Sequence, residues 1–188
     1  MVAPAFGRDH IEWEILEQWR MRNPQAFMEI ITETGDLAGC FVILGLEDSF
    51  MEQFINGTIS EGQITGEDVL TMTQTKKLSR IYISGLMVPQ KPSASKNRRV
   101  YVMVWCMIRY LRHFFGTKVS RTLFAVALNK ESEKLLDKLK FSVHTSALNR
   151  KDRHKLYSIE FLNDTVEEVS REMGDFSKMC QMSYRIVK

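Results

Sequence analysis

The stretch RRVYVMVWCMIRYLRHFF, residues 98 to 115, constrains the fold most, because its valines suit a strand while its spacing suits a helix. At about 100° per residue, Val100, Met103, Val104, Met107, Ile108, Leu111, Phe114 and Phe115 gather on one broad face. Arg98, Arg109 and Arg112 fall within about 60° of one another on the other face. Alternation at period two produces no such separation, so the stretch is a helix. Arg98 and Arg99 then open it, where the positive end of the macrodipole disfavours cations by some tenths of a kcal/mol unless an anion is present.

The rest of the chain falls into place around that helix. Asp9 with Glu12 forms a capping box, and Ile11, Ile15, Leu16 and Trp19 keep helical spacing until Asn23-Pro24 stops it. AFMEIITETGDLAGCFVILGL reads as a hairpin, with strands near 27–33 and 38–46 about a Thr-Gly-Asp turn. DSFMEQFI is a short helix, and TGEDVL starts another with Thr65 as cap and Asp68 at its third position. RIYISGLMV is a third strand, with Ser84-Gly85 fitting a β-bulge, and Pro89 and Pro92 then break the chain. RTLFAVAL is a fourth strand, NKESEKLLDKLKF a helix, FSVHT and KLYSIEFL two more strands, and residues 164–182 a closing helix broken near Gly174.

This order predicts a mixed α/β (α+β) domain with a central, mostly antiparallel sheet flanked by helices. One domain spans 1–188, with a helical insert over 48–72 and a C-terminal helical extension over 163–188. No cationic-then-apolar leader opens the chain, and the apolar run 100–108 is too short to span a bilayer. The expected address is cytoplasmic, with no membrane partner. Cys40, Cys106 and Cys180 lie far apart in apolar or Met-rich settings, which favours reduced thiols and excludes a Cys-X-X-Cys motif. The Met-rich tail (Met173, Met179, Met182) either closes the core or packs against a second subunit, so a homodimer stays open.

The net charge of +3 hides an asymmetry: residues 1–90 carry 6 Lys/Arg against 13 Asp/Glu, and residues 91–188 carry 20 against 10. The second half attracts a polyanion such as a nucleotide cofactor or nucleic acid, or else the two halves attract each other.

Several motifs are absent. Gly57 and Gly62 have phosphate-loop spacing, but Gln63-Ile64 replaces the required Lys-Ser/Thr. Neither Gly-X-Ser-X-Gly nor His-Glu-X-X-His occurs, and His10, His113, His144 and His154 stand isolated, so no metal is expected. The Asn-X-Thr matches at 56 and 163 read as chance.

What remains is PQKPSASKNRRV, which joins a strand end to a helix N-terminus. That geometry aims unpaired backbone N–H groups outward and suits a phosphate or pyrophosphate. Ser93, Ala94 and Ser95 let the backbone approach an anion, and Lys96, Arg98 and Arg99 add charge-assisted contacts. A solvated basic loop is the plainer alternative.

With LMVP at 86–89 and NKESEKLLDKLKF after the fourth strand, the chain resembles the GNAT superfamily of acyl-CoA N-acyltransferases over roughly residues 10–161. WRMRNPQAF and ITGEDVL bring it near a divergent bacterial subgroup of GNAT-like proteins. The resemblance implies that the strand near 80–88 splays from its neighbour, pairs with pantetheine, and leads into a loop that wraps the pyrophosphate. The implied cofactor-binding residues are Leu86, Met87, Val88, Ser93, Ser95, Lys96, Asn97, Arg98, Arg99, Asn129 and Ser132. Acetyl-CoA or CoA is then the co-substrate, and a small-molecule or protein amine the acceptor. In the second pattern the family often has Asn, a small residue, Tyr and Gly-Phe where this chain has Asn129, Ser132, Leu136 and Lys140-Phe141. No glycine lies between Gly85 and Gly116, where family members typically carry Gln/Arg-X-X-Gly-X-Gly/Ala.

Acyl transfer to an amine needs a base, oxyanion donors and an acid for the thiolate. Backbone N–H groups of residues 86 to 88 are the candidate donors, and Glu47, or Tyr82 or Ser84 through a water, the candidate bases. Each of these three also has a purely structural reading. Glu47, Asp48, Glu61, Glu67 and Asp68 are candidates to line a site for a cationic acceptor. Three functions therefore stand: an N-acetyltransferase, a GNAT-fold binding or regulatory module without turnover, and a nucleic-acid binder using the basic stretch 91–155 with Tyr101 and Trp105 for stacking. No recognised nucleic-acid motif is present, which puts the last reading third.

Overall fold

The computed structural model describes residues 11–31, 35–87, 96–116, 120–161 and 185–187, with backbone only for 96–99 and 185–187. In chain order these form α1 (Trp13–Arg22), β1 (Phe27–Ile31), β2 (Leu37–Leu44), α2 (Asp48–Ile55), α3 (Met72–Thr75), β3 (Arg80–Met87), α4 (Lys96–Phe115), β4 (Arg121–Ala127), α5 (Lys130–Lys138), β5 (Ser142–Thr145), β6 (Lys155–Phe161) and β7 (Arg185–Val187).

The ambiguous valine-rich stretch is helical throughout as α4. It buries the middle of the apolar face read from its spacing together with Val102, Cys106 and Tyr110 beside it, while Val100, Phe114 and Phe115 are only partly buried. Met103, Val104, Met107, Ile108 and Leu111 enter the core, while Arg109 and Arg112 stay exposed. The helix lies tightly on β2: a Cβ added at Gly39 would stand 2.5 Å from Met103 Sδ and 2.6 Å from the Met87 carbonyl oxygen. Only glycine permits that approach.

The sheet runs β5-β6-β4-β3-β2-β1-β7, and every neighbouring pair is antiparallel except β3 with β4. One face, with Ile81, Ile83, Leu123 and Ala125, packs under α4 and α5. The other, with Leu44, Tyr82, Phe124 and Leu156, packs against Trp19 of α1 and Met51, Phe54 and Ile55 of α2.

The parallel pair is short. It runs from Arg80↔Thr122 to Ile83↔Ala125. Beyond that point β3 continues to Met87 along β2 alone, while Val126 and Ala127 of β4 continue along β6. The two central strands therefore part after Ile83 and Ala125, which is the splay expected near 80–88. The bulge expected at Ser84-Gly85 sits at the same place, because Ile83 faces Ile43 and Gly85 faces Val42, leaving Ser84 as the extra residue. One inserted residue shifts the alternation, so Leu86 still packs under α4.

Four expectations need correction. Helix α1 begins at Trp13 with Glu12 extended before it (φ −61°, ψ 144°), so the Asp9–Glu12 box does not start it; Asp9 lies outside the described residues. Asp68 Oδ2 does accept from the Thr65 N–H and hydroxyl, each at 2.7 Å, yet no helix follows. The Glu47 N–H donates to the Asp68 carbonyl and the Leu70 N–H to the Gly45 carbonyl, drawing the chain into a bridge between Leu46 and Val69. The insert is thus one helix, α2, followed by capped turns and the single turn α3, rather than a run of helices. Finally, the C-terminal extension is not all helical, because 185–187 form β7 along β1; the expected helix and its break at Gly174 lie outside the described residues.

Helix α5 ends where the family-like pattern has glycine. Lys140 there has φ 64°, with its N–H on the Asp137 carbonyl and the Phe141 N–H on the Leu136 carbonyl. This is the left-handed helix stop that favours glycine, adopted by a lysine. Among the described residues, no helix is long and apolar enough to cross a membrane.

Candidate functional site

The parting of β3 and β4 leaves backbone groups of residues 84–87 without a strand on the β4 side among the described residues. An unpaired strand edge offers N–H and C=O groups at alternate residues to an extended ligand. From the end of β3 the chain passes through 88–95, outside the described residues, and re-enters as α4 at Lys96. The first turn of a 20-residue helix presents orphan N–H groups.

The side chains at the splay come from two segments far apart in sequence. Tyr82 and Ser84 project from β3 towards the α1/α2 side, and Glu61 reaches them from the turn after α2. That turn and the chain after it are held by hydrogen bonds. Gln63 Oε1 accepts from the Ser60 N–H at 3.1 Å. The buried Trp19 Nε1 donates to the Ile64 carbonyl at 2.9 Å, and Asn23 Nδ2 donates to the Leu70 carbonyl at 2.9 Å. The segments WRMRNPQAF and ITGEDVL are therefore joined physically.

Thus held, Glu61 is buried, and its Oε1 accepts a 2.5 Å hydrogen bond from Ser84 Oγ. Tyr82 Oη is buried alongside with no well-formed hydrogen bond to any protein atom. Beneath them Phe54 meets Tyr82 edge-on at 4.6 Å, and the buried Arg150 guanidinium lies 4.8 Å over the Phe54 ring. Arg150 is matched on all sides: Nη2 and Nε donate to Asp152 at 2.7 and 3.1 Å, and Nη1 to the Phe54 carbonyl at 2.7 Å.

Burial dominates the electrostatics of Glu61 and raises its carboxyl from an ordinary 4.5 to about 7. The Ser84 hydrogen bond, the adjacent Tyr82 phenol and the Arg150 cation pull it down, while Asp152 pushes it up. Burial and the neighbouring Glu61 hold the Tyr82 phenol well above its usual value, so it stays neutral. A carboxyl poised near neutrality, bonded to a hydroxyl at the mouth of a strand opening, is equipped to accept a proton.

The other residues read from the sequence distribute differently. Leu86 is half-buried under α4, and Met87 is 37% exposed at the end of β3. Val88, Ser93 and Ser95 lie outside the described residues, and Lys96, Asn97, Arg98 and Arg99 form the first turn of α4 in backbone. Asn129 and Ser132 cap α5 reciprocally, Asn129 Oδ1 accepting from the Ser132 N–H at 2.9 Å and Ser132 Oγ from the Asn129 N–H at 3.0 Å. Leu136 is buried in the α4/α5 core.

The acidic candidates separate. Asp48 and Glu52 bond Arg80, Asp68 is taken by Thr65, Glu47 is the exposed N-cap of α2, and Glu67 is exposed. Of that group only Glu61 is buried at the splay, a role its polar surroundings in SEGQ did not signal. Burial, with the nearby Glu29 charge, raises the Cys40 thiol to about 11, which disfavours its thiolate. Among the described residues, no three His, Cys, Asp or Glu side chains are grouped to hold a metal ion. Comparison with protein-family models, with curated proteins and with solved structures found no match.

Proposed function

We propose that this chain is an acyl-CoA-dependent N-acyltransferase of the GNAT kind, moving an acetyl group from acetyl-CoA to an amine. The observation that carries the reading is the parting of β3 from β4 after Ile83 and Ala125, followed directly by the α4 N-terminus. The free edge of β3 suits the amide groups of a pantetheine arm, and its N–H groups suit the oxyanion that forms when an amine attacks a thioester carbonyl. The first turn of α4, with Arg98 and Arg99, suits the diphosphate of the cofactor. The test is thermal: millimolar acetyl-CoA raises the melting temperature of the wild type, and Arg98→Glu with Arg99→Glu abolishes the rise. No rise in the wild type overturns the reading.

A second reading, a GNAT-fold module that holds CoA without turnover, is favoured by one observation. Leu136 is buried in the core, so position 136 supplies no phenol to protonate a leaving thiolate. The enzyme reading then requires the thiolate, with a pKa of about 8.5 for an ordinary thiol, to take its proton from another group or from water. Thiol release from acetyl-CoA in the presence of an amine separates the two readings.

A further inference from the structure

We infer that Glu61, acting through the Ser84 hydroxyl, takes the proton from the attacking amine, and that the acceptor therefore enters from the α1/α2 side of the sheet, opposite α4. This rests on the acyltransferase reading above. It assigns the base to the segment between β2 and β3 rather than to a central strand.

Position supports it first. Ser84 is the first residue of β3 beyond the last parallel pair, Ile83↔Ala125, and is the extra residue of the bulge. A thioester lying along the freed edge of β3 has its carbonyl near this residue. Ser84 is half-buried, whereas Glu61 behind it is buried, so the hydroxyl is the group a substrate touches. Glu61 acts through it.

The existing hydrogen bond sets the direction of transfer. Ser84 Oγ already donates to Glu61 Oε1 at 2.5 Å, which leaves lone pairs on Oγ to accept from an amine. As the amine nitrogen bonds to the thioester carbon, one N–H proton passes to Ser84 Oγ and the Ser84 proton passes to Glu61 Oε1. The carbonyl π pair moves onto oxygen. Collapse of that oxyanion breaks the C–S bond, and the sulfur leaves with its electron pair. Glu61 ends as a neutral carboxylic acid, and its proton returns to water or to the thiolate.

The surroundings favour this cycle. Burial holds Glu61 near neutrality, so both protonation states are reached at ordinary pH. Tyr82 beside it keeps its proton, and its hydroxyl is placed to donate to the Glu61 carboxylate when that is charged. The other charged groups felt by Glu61 are Arg150 and Asp152, which are locked to each other. Their mutual pairing leaves Glu61 as the group free to change charge.

The test compares wild type, Glu61→Gln and Ser84→Ala for thiol release from acetyl-CoA with ethanolamine, spermidine and lysine amide, over pH 5.5 to 9. Wild type is expected to show an acid limb near pH 7. In Glu61→Gln, kcat falls about 100-fold or more and that limb disappears, while the acetyl-CoA thermal shift is unchanged. Ser84→Ala, which keeps Glu61, loses rate similarly and guards against a folding defect in Glu61→Gln. The proposal is overturned if Glu61→Gln keeps kcat within threefold with its acid limb intact. It is also overturned if wild type binds acetyl-CoA yet releases no thiol with these amines, an outcome that leaves the CoA reading standing. Absence of an acetyl-CoA thermal shift in the wild type removes the CoA reading and this one with it.

Discussion

Ser84 Oγ and Glu61 Oε1 meet at 2.5 Å across 23 residues of chain, and the contact lies where the central strands separate. The bulge that turns Ser84 out of the β2–β3 register and the turn that buries Glu61 thus converge on one point.

Glu61 makes stability depend on pH in a definite direction. Its folded pKa, about 7, lies above the ordinary 4.5, so the folded protein binds the proton more tightly than the unfolded chain does. The stabilisation is complete below about pH 4.5 and is lost as pH rises through about 7. Glu61→Gln removes this dependence and keeps an acceptor for Ser84. Relative to wild type, the variant is expected to gain stability between pH 4.5 and 8, by up to roughly 3 kcal/mol. Urea titrations at the two pH values measure it; a constant difference contradicts the burial argument.

Asn129 caps α5 through the Ser132 N–H. Asn129→Ala is expected to lower stability by about 1 kcal/mol, and Asn129→Asp to restore most of it. Chemical denaturation without ligand reads the capping role alone, separately from any part Asn129 plays towards CoA.

Gly57 has φ 77°, and a Cβ there would stand 2.7 Å from the Asn149 carbonyl oxygen and 2.8 Å from Arg150 Cα. Both neighbours are backbone and cannot turn aside. Gly57→Ala is expected to cost about 1–3 kcal/mol. Gly62→Ala, with open space around its Cβ, is expected to cost much less. Equal effects would contradict the packing role given to Gly57.

Lys140 adopts a left-handed conformation at the end of α5, with φ 64°. Lys140→Gly is expected to stabilise by roughly 0.5–1 kcal/mol, the relieved strain less the entropy glycine adds to the unfolded chain. A lower melting temperature for the variant would contradict this.

The elements with strong periodicity were legible in the sequence. The α4 helix from Val100 to Phe115 shows in its spacing, and the β1–β2 hairpin in its apolar runs about a Thr-Gly-Asp turn. Even the Ser84-Gly85 bulge was legible, because a glycine beside a small residue inside a β-rich run marks a break in the ladder. What escaped was set by long-range pairing. Thr65 and Asp68 form the expected cap, but the bridge between Leu46 and Val69 overrides the helix. Likewise Arg185–Val187 form a strand by pairing along β1, a partner distant in sequence. Glu61 was the least legible. Nothing local in SEGQ reveals that Trp19 and Asn23 hold the following chain so that a carboxyl is turned inward.

CoA or its thioester is proposed to lie along the freed edge of β3. Amide hydrogen exchange at residues 84–87, with and without saturating CoA, tests it most directly. Slower exchange is expected there and at the first turn of α4 when CoA is present. Binding of CoA with exchange at 84–87 unchanged would contradict it.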